Sequence, residues 1–259
     1  MNNFWSGGIT FSGIVIALVV QLIVTLICGI FAFHRIKRLW RTFRSFCMFY
    51  AKFNSIQMIR FVRDREDYKG TKAYGIANYI KTAKKSVKIV GINLSTGVDN
   101  DDVIPAIKEL LSRNDSPIEI TVSLLDPDYR MTMLAMAETQ GKTETELAST
   151  VSSTLRRLIE LKGTLSKSHA EHLTIKAHRV VPFASAIIID SDGFKSGEIQ
   201  IETKSYHQSG NKSFGFTLGA GGSHPLYKTL IASYEELIED ARPLKRIADI
   251  AYLKNNSKL

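Results

Sequence analysis

The sequence predicts an α/β layered domain with a mixed β-sheet, preceded by one transmembrane helix and a helical stalk. Three observations carry this. Residues 9–33 hold no charged side chain, and Arg35, Lys37, Arg38, Arg41 and Arg44 follow at once. Beyond residue 68, helical and strand-like periodicities alternate. Adjacent strand-like segments then follow one another without intervening helices, so the sheet must mix parallel and antiparallel neighbours.

Twenty-five apolar or neutral residues at a rise of about 1.5 Å each can cross a hydrocarbon core about 30 Å thick. Lys and Arg beside a span favour the cytoplasm. The expected layout is therefore an extracytoplasmic N-terminus over 1–8, a transmembrane helix over 9–33 and a basic amphipathic juxtamembrane helix over 34–67. A cytoplasmic domain over 68–242 and a tail over 243–259 complete it. A cleaved signal peptide is the competing reading, but it needs charges ahead of a shorter apolar core. Within the span Gly13, Ala17, Gln21, Thr25 and Gly29 recur every fourth residue. Small and weakly polar residues on one face let helices approach in lipid, so self-association along this face is expected.

Charge is unevenly distributed. Residues 35–88 carry 15 Lys and Arg against 3 Asp and Glu, whereas 89–259 carry 19 against 22. A basic excess next to a span points to an anionic leaflet rather than to nucleic acid, which is the less economical explanation of the net +9. Two cysteines, Cys28 and Cys47, offer neither a disulfide framework nor a metal cluster. Neither a metal nor a cofactor is expected.

In the juxtamembrane segment Ile36, Leu39, Trp40, Phe43, Phe46, Tyr50 and Phe53 fall three and four apart, with cations between them. Such a stripe could join two protomers as a coil, lie at the lipid interface, or pack on the chain's own domain. The body opens with a helix over 72–83 and a strand over 86–92, whose apolar residues alternate. Residues 101–112 read as a helix, with Asp101 and Asp102 in the first turn, where the dipole favours acids. A strand follows over 118–125, closed by Asp126-Pro127-Asp128. Residues 129–168 are helical, with a break near Gly141. Strands are expected over 172–180, 184–190, 198–206 and 214–218, a helix over 224–241, and a frayed tail from Lys254.

Three strings within this order carry a resemblance. Residues 79–91 (Tyr-Ile-Lys-Thr-Ala-Lys-Lys-Ser-Val-Lys-Ile-Val-Gly) resemble the opening helix and first strand of phospholipase D-like domains. Residues 120–127 (Ile-Thr-Val-Ser-Leu-Leu-Asp-Pro) are similar to their second strand and its exit turn. Residues 183–190 (Phe-Ala-Ser-Ala-Ile-Ile-Ile-Asp), with Gly197 seven positions on, lie over the family's His-x-Lys-x4-Asp-x6-Gly signature. The resemblance covers residues 70–242, one half of a two-lobed fold. It implies a phospholipase D-like layered domain in which the histidine position, the nucleophile, is Phe183 and the phosphate-holding lysine is Ser185. Only Asp190 and Gly197 match. A benzyl ring cannot attack phosphorus and a serine hydroxyl brings no positive charge, so the family reaction is not expected here. Asp190, without a histidine to orient, is expected to cap the turn 190–193. Single-lobe relatives pair through their signature strands, so Phe183 and Ser185 are expected to face such a junction.

Other constellations are weaker. His169, His172 and His178 cluster in sequence, and His172 and His178 would share a face of one strand, but no acid or cysteine stands at ligand spacing. Asp126 and Asp128 suit turn capping. Ser205, His207 and Ser209 lack a neighbouring carboxylate. The glycine-rich run 215–223 precedes a helix, and such a loop can cradle phosphate; it lacks a P-loop's Lys-Ser/Thr ending. Asn93, Asp190, Gly219, Gly221, Gly222 and Ser223 are the candidate ligand-binding residues on that reading. The expected function is a membrane-anchored, non-catalytic phospholipase D-like module. It would act as a sensor, scaffold or effector through self-association and binding of a partner or small phosphorylated ligand. The alternative is a phosphodiesterase or phospholipase-type hydrolase at the membrane surface, with His178 or His207 as a relocated nucleophile.

Overall fold

The computed structural model describes residues 21, 22, 37, 40–62, 76–94, 100–113, 118–191, 195–203, 214–221 and 225–250. The chain divides into two compact units, Met1–Phe53 and Asn54–Leu259.

Residues 21, 22 and 37 are helical, and helix α1 is described over 40–55, of which 40–53 belong to the first unit. No helix among the described residues is long and apolar enough to cross a membrane. This corrects the expected architecture of span, stalk and domain. The described helix carries Arg41, Arg44 and Lys52, so it lacks the apolarity that a hydrocarbon core requires. The expected span 9–33 lies outside the described residues except for Gln21 and Leu22. Gly13, Ala17, Thr25, Gly29, Arg35 and Arg38 lie outside them as well.

The second unit begins with a further correction. The helix expected to continue to residue 67 stops at a turn where Gln57 takes a positive φ of 50°, and Met58–Val62 is strand β1. Its alternation of half-buried and exposed residues suits an edge strand. The remaining elements follow in chain order: α2 (Ile76–Lys81), β2 (Ser86–Gly91), α3 (Asn100–Leu111), β3 (Glu119–Leu125), α4 (Arg130–Thr139), α5 (Glu144–Thr164), α6 (Lys167–Glu171), β4 (Leu173–His178), β5 (Ser185–Ile189), β6 (Glu198–Glu202), β7 (Gly215–Gly219), α7 (Leu226–Asp240) and β8 (Arg242–Pro243). The expected break near Gly141 separates α4 from α5. Gly141 sits at φ 64°, and the Lys142 N–H returns to the Ala137 carbonyl at 2.9 Å, which closes the helix end with a left-handed residue. Thr143 then caps α5: its hydroxyl accepts the Glu146 N–H, and the Glu146 carboxylate accepts the Thr143 N–H.

Among the described residues eight strands join one sheet in the order β1-β7-β6-β5-β2-β3-β4-β8. β2, β3 and β4 are parallel, with Val87 opposite Ile120 and Ile120 opposite Leu173. β5 runs antiparallel to β2, with Val90 opposite Ala186. Strand alternation divides the core in two. Val87, Ile89, Ile120, Val122, Leu173, Ile175, Ile187 and Ile189 meet α2, α3, α4 and α5 on one face. Val90, Ala186, Ile188, Ile199 and Ile201 meet Tyr227, Ile231, Tyr234 and Ile238 of α7 on the other. The expected tail is part of this body: Leu244 and Ile250 are buried in the first core, and β8 pairs with β4.

Candidate functional site

β5 carries the signature residues, and its two ends differ in character. At its C-terminal end Asp190 adopts a positive φ of 51°. Its Oδ1 accepts the backbone N–H groups of Lys84, Lys85 and Ser86 at 3.0, 2.7 and 3.0 Å, and Oδ2 accepts that of Lys84 at 3.0 Å. The Asp190 N–H donates in turn to the Ser86 carbonyl at 2.9 Å. The carboxylate thus ties the entry of β2 to the exit of β5; the turn it was expected to cap runs into residues 192–194, outside the described ones. Gly197 completes this corner at φ 95°, where a Cβ would stand 2.4 Å from the Ile189 carbonyl oxygen and 2.7 Å from that of Asp190. Both matched signature residues therefore serve the backbone.

At the opposite end, Phe183 and Ser185 part company. Alternation would put them on one face, but Phe183 precedes the strand. Its ring, 65% exposed, lies 6.0 Å from that of Tyr234 on α7, and the Tyr234 hydroxyl donates to the Ala184 carbonyl at 2.8 Å. Ser185 instead lines a cavity of about 40 Å³ on the side of α2 and α3, with Asn93, Gln200 and Glu202 as its other polar neighbours and Ile76, Ile80 and Val103 among the apolar ones. Among the described residues no Lys, Arg or His lines it. A space of that size holds a few waters.

The candidate phosphate-binding residues do not converge. Asn93 follows β2 at the Ser185 end of the sheet. Asp190 and Gly219 lie at the other end, since Ile189 pairs with Glu198 and Glu198 with Gly219. Five strand residues at about 3.3 Å each separate these edges. The Gly219 N–H donates to the Gln57 carbonyl at 3.0 Å, and Gly221 faces the Gln57 side chain. Gly222 and Ser223 lie outside the described residues, as does His207. Lys37, Arg41 and Arg44 are exposed.

A second polar cluster forms where the parallel strands end, the edge at which α/β sheets bind ligands. The Asp126 N–H donates to the His178 carbonyl at 2.7 Å. The Arg242 guanidinium donates to Asp126 Oδ1 at 2.9 Å, Asp128 Oδ2 at 3.1 Å and the Asp249 carbonyl at 2.7 Å. Burial works against its charge, but the two aspartates outweigh this and raise its pKa. Arg179 places Nε 3.5 Å from Asp126 Oδ2 and its guanidinium 5.5 Å from the centre of the Tyr129 ring. His178 is 2% exposed, and neither ring nitrogen has a hydrogen-bond partner. Burial drives its pKa down to about 4, against the pull of Asp126, so the imidazole is neutral at pH 7. Beside it a cleft of about 440 Å³ is lined by Arg179 and Arg242 and by Glu236 and Asp240. His172 is elsewhere: its Nδ1 lies 2.6 Å from Glu119 Oε1, at the opposite end of β4. Arg179 and Arg242 escaped the sequence reading because only the fold brings them to their acid: Arg242, the last residue of the expected domain, stands 116 positions from Asp126. The visible signal was Asp126, a buried acid at a strand end that needs a cation.

No family model matches the chain, and no curated protein does. Three solved structures are similar to it in part. One is TrmBL2, an archaeal chromatin protein with a novel mode of DNA binding, at 10% identity, 88% of this chain, 71% of that chain and TM-score 0.41. Another is phosphatidylserine synthase of Haemophilus influenzae Rd KW20, at 14% identity and TM-score 0.46; the match covers 68% of this chain but only 38% of the synthase. The third is NucT from Helicobacter pylori, at 12% identity, 70% and 92% coverage and TM-score 0.34. The synthase and NucT are phospholipase D-like in fold. Likenesses this distant leave the functional reading to this chain's own residues.

Proposed function

We propose that this chain is a phospholipase D-like module that has given up catalysis and uses the Phe183 edge of its sheet to bind a second copy of itself, as a sensor, scaffold or effector. One observation carries the reading. An exposed apolar ridge stands at the end of β5 where the resemblance would place a nucleophile and a cation. Phe183 and Val180 are each 65% exposed, and Val181 is exposed beside them. Tyr129, Met131 and Leu134 extend the apolar surface on and just before α4, which is tied to this loop by the Thr132 hydroxyl donating to the Arg179 carbonyl at 2.6 Å. An aromatic anchor ringed by aliphatic residues suits the desolvated centre of a protein interface.

Light scattering on the full chain and on Phe183→Asp tests this. A dimer that becomes monomeric in the variant, with neither protein turning over a phosphodiester, supports it; a wild-type monomer that hydrolyses substrate refutes it. The second reading, a hydrolase with a relocated nucleophile, is favoured by one observation: the unpartnered His178 imidazole next to a cleft with two guanidinium groups. It requires turnover that His178→Gln abolishes.

A further inference from the structure

We infer that helix α1 lies along the surface of an anionic lipid bilayer, with its aromatic face in the headgroup layer and its cations toward the phosphates. At about 100° per residue, Trp40, Phe43, Phe46, Cys47, Tyr50, Ala51 and Phe53 fall within an arc of about 160°. Arg41, Arg44 and Lys52 occupy an arc of about 80° on the other side. Met48, Phe49 and Asn54 break the division. Trp40, Phe43, Phe46, Phe49 and Tyr50 are each more than half exposed. Two ring pairs lie along the helix, with centres 6.0 Å apart for Trp40 and Phe43 and 4.7 Å for Phe49 and Phe53. A helix that presents so many large rings to water, flanked by cations, has the make-up of an interfacial helix. Tryptophan and tyrosine belong at that depth, where a ring is half apolar and its polar edge stays wet.

Charge selects the occupant. The first acid in the whole sequence is Asp64, so α1 has no carboxylate for a second copy to pair with. Two such helices packed through their rings would set cation beside cation, whereas coiled coils place opposite charges at those flanking positions. A lipid surface supplies unlimited anions without ordering a partner, at on the order of 1 kcal/mol for each Lys or Arg held near it. This inference is independent of the Phe183 edge, which lies in the other unit.

The chain has two tryptophans, Trp5 and Trp40, so Trp5→Phe leaves a reporter on α1 alone. The full-length variant is reconstituted with vesicles of phosphatidylcholine, pure or containing one third phosphatidylglycerol. In the anionic vesicles Trp40 emission is expected to shift to the blue. Lipids with a shallow nitroxide are expected to quench it, and aqueous acrylamide to do so severalfold less well than in pure phosphatidylcholine. Arg41→Glu, Arg44→Glu and Lys52→Glu together are expected to abolish that difference while circular dichroism stays helical. Because the readout is local to α1, attachment of the chain through another segment cannot mimic it. Equal acrylamide quenching in both vesicle types overturns the inference. So does shallow quenching that survives the charge reversal, or oxidative cross-linking through Cys47 with no quenching by lipid.

Discussion

Oδ1 of Asp190 accepts the backbone N–H of Lys85 at 2.7 Å, across 105 positions of sequence, and this bond with its neighbours locks β2 to β5. Hydrogen bonds to a charged group contribute about 1.5–3 kcal/mol each when unshared, and less when one carboxylate serves several donors. Asp190→Ala is expected to lower stability by about 3 kcal/mol, adding strain at the positive φ to the lost bonds. Asp190→Asn keeps one acceptor and tolerates the left-handed backbone, so it is expected to lose about half as much. Urea unfolding checks both values.

Glycine positions separate structural need from chance. Gly197→Ala puts a methyl 2.4 Å from a backbone oxygen that cannot move away, at a φ of 95°, and is expected to leave no soluble folded protein or to cost more than about 3 kcal/mol. Gly163 lies inside α5 with nothing within 4 Å of an added Cβ. Gly163→Ala is therefore expected to stabilise by about 0.5–1 kcal/mol, raising Tm by about 1–4 °C for a chain of this size.

His178 makes the body sensitive to acid. Its folded pKa of about 4 lies below the ordinary 6.5, so the unfolded chain binds the extra proton in between. Its contribution to stability is fully present above pH 6.5 and is lost as pH falls toward 4, about 3 kcal/mol over the window. His178→Gln is expected to flatten the stability profile between pH 6.5 and 4. An unchanged slope would show that other groups set it.

Reinstating the family pair tests whether the missing side chains are all that is absent. Phe183→His with Ser185→Lys places an ammonium in a cavity lined by Glu202 and Gln200, while the imidazole introduced at the Phe183 position would stand on the α7 side beside Tyr234. The two groups would not converge on one phosphorus, and no phosphodiester turnover is expected above the wild-type background. Measurable turnover would show that both side chains reach one site.

The body of the fold was legible because its core strands are regular. Val87, Ile89, Ile120 and Val122 alternate as buried strands should, and Gly141 marks the α4–α5 break with the residue type best suited to φ 64°. β1 was not legible. The helical stripe through Phe53 has no local stop signal before Gln57, and Met58–Val62 becomes a strand only because β7, some 155 residues later, supplies its hydrogen-bond partner. Residues 243–250 looked like a tail because Leu244 gains its burial only from β4, and Arg242, at the expected domain's last position, gains its role only from Asp126. At the signature, the resemblance exposed the loss of His and Lys. It could not reveal that Phe183 and Ser185 diverge, since irregular backbone after the buried Pro182 breaks the alternation on which a shared face depends.

Disulfide trapping at position 183 tests the pairing claim most directly. In a Cys28→Ser, Cys47→Ser background, Phe183→Cys is the only thiol, and mild oxidation reports whether two such edges meet. A covalent dimer as the main product, with Glu160→Cys as an exposed control remaining monomeric, is the expected result. Monomer alone at position 183, at concentrations where light scattering shows a dimer, would contradict the account.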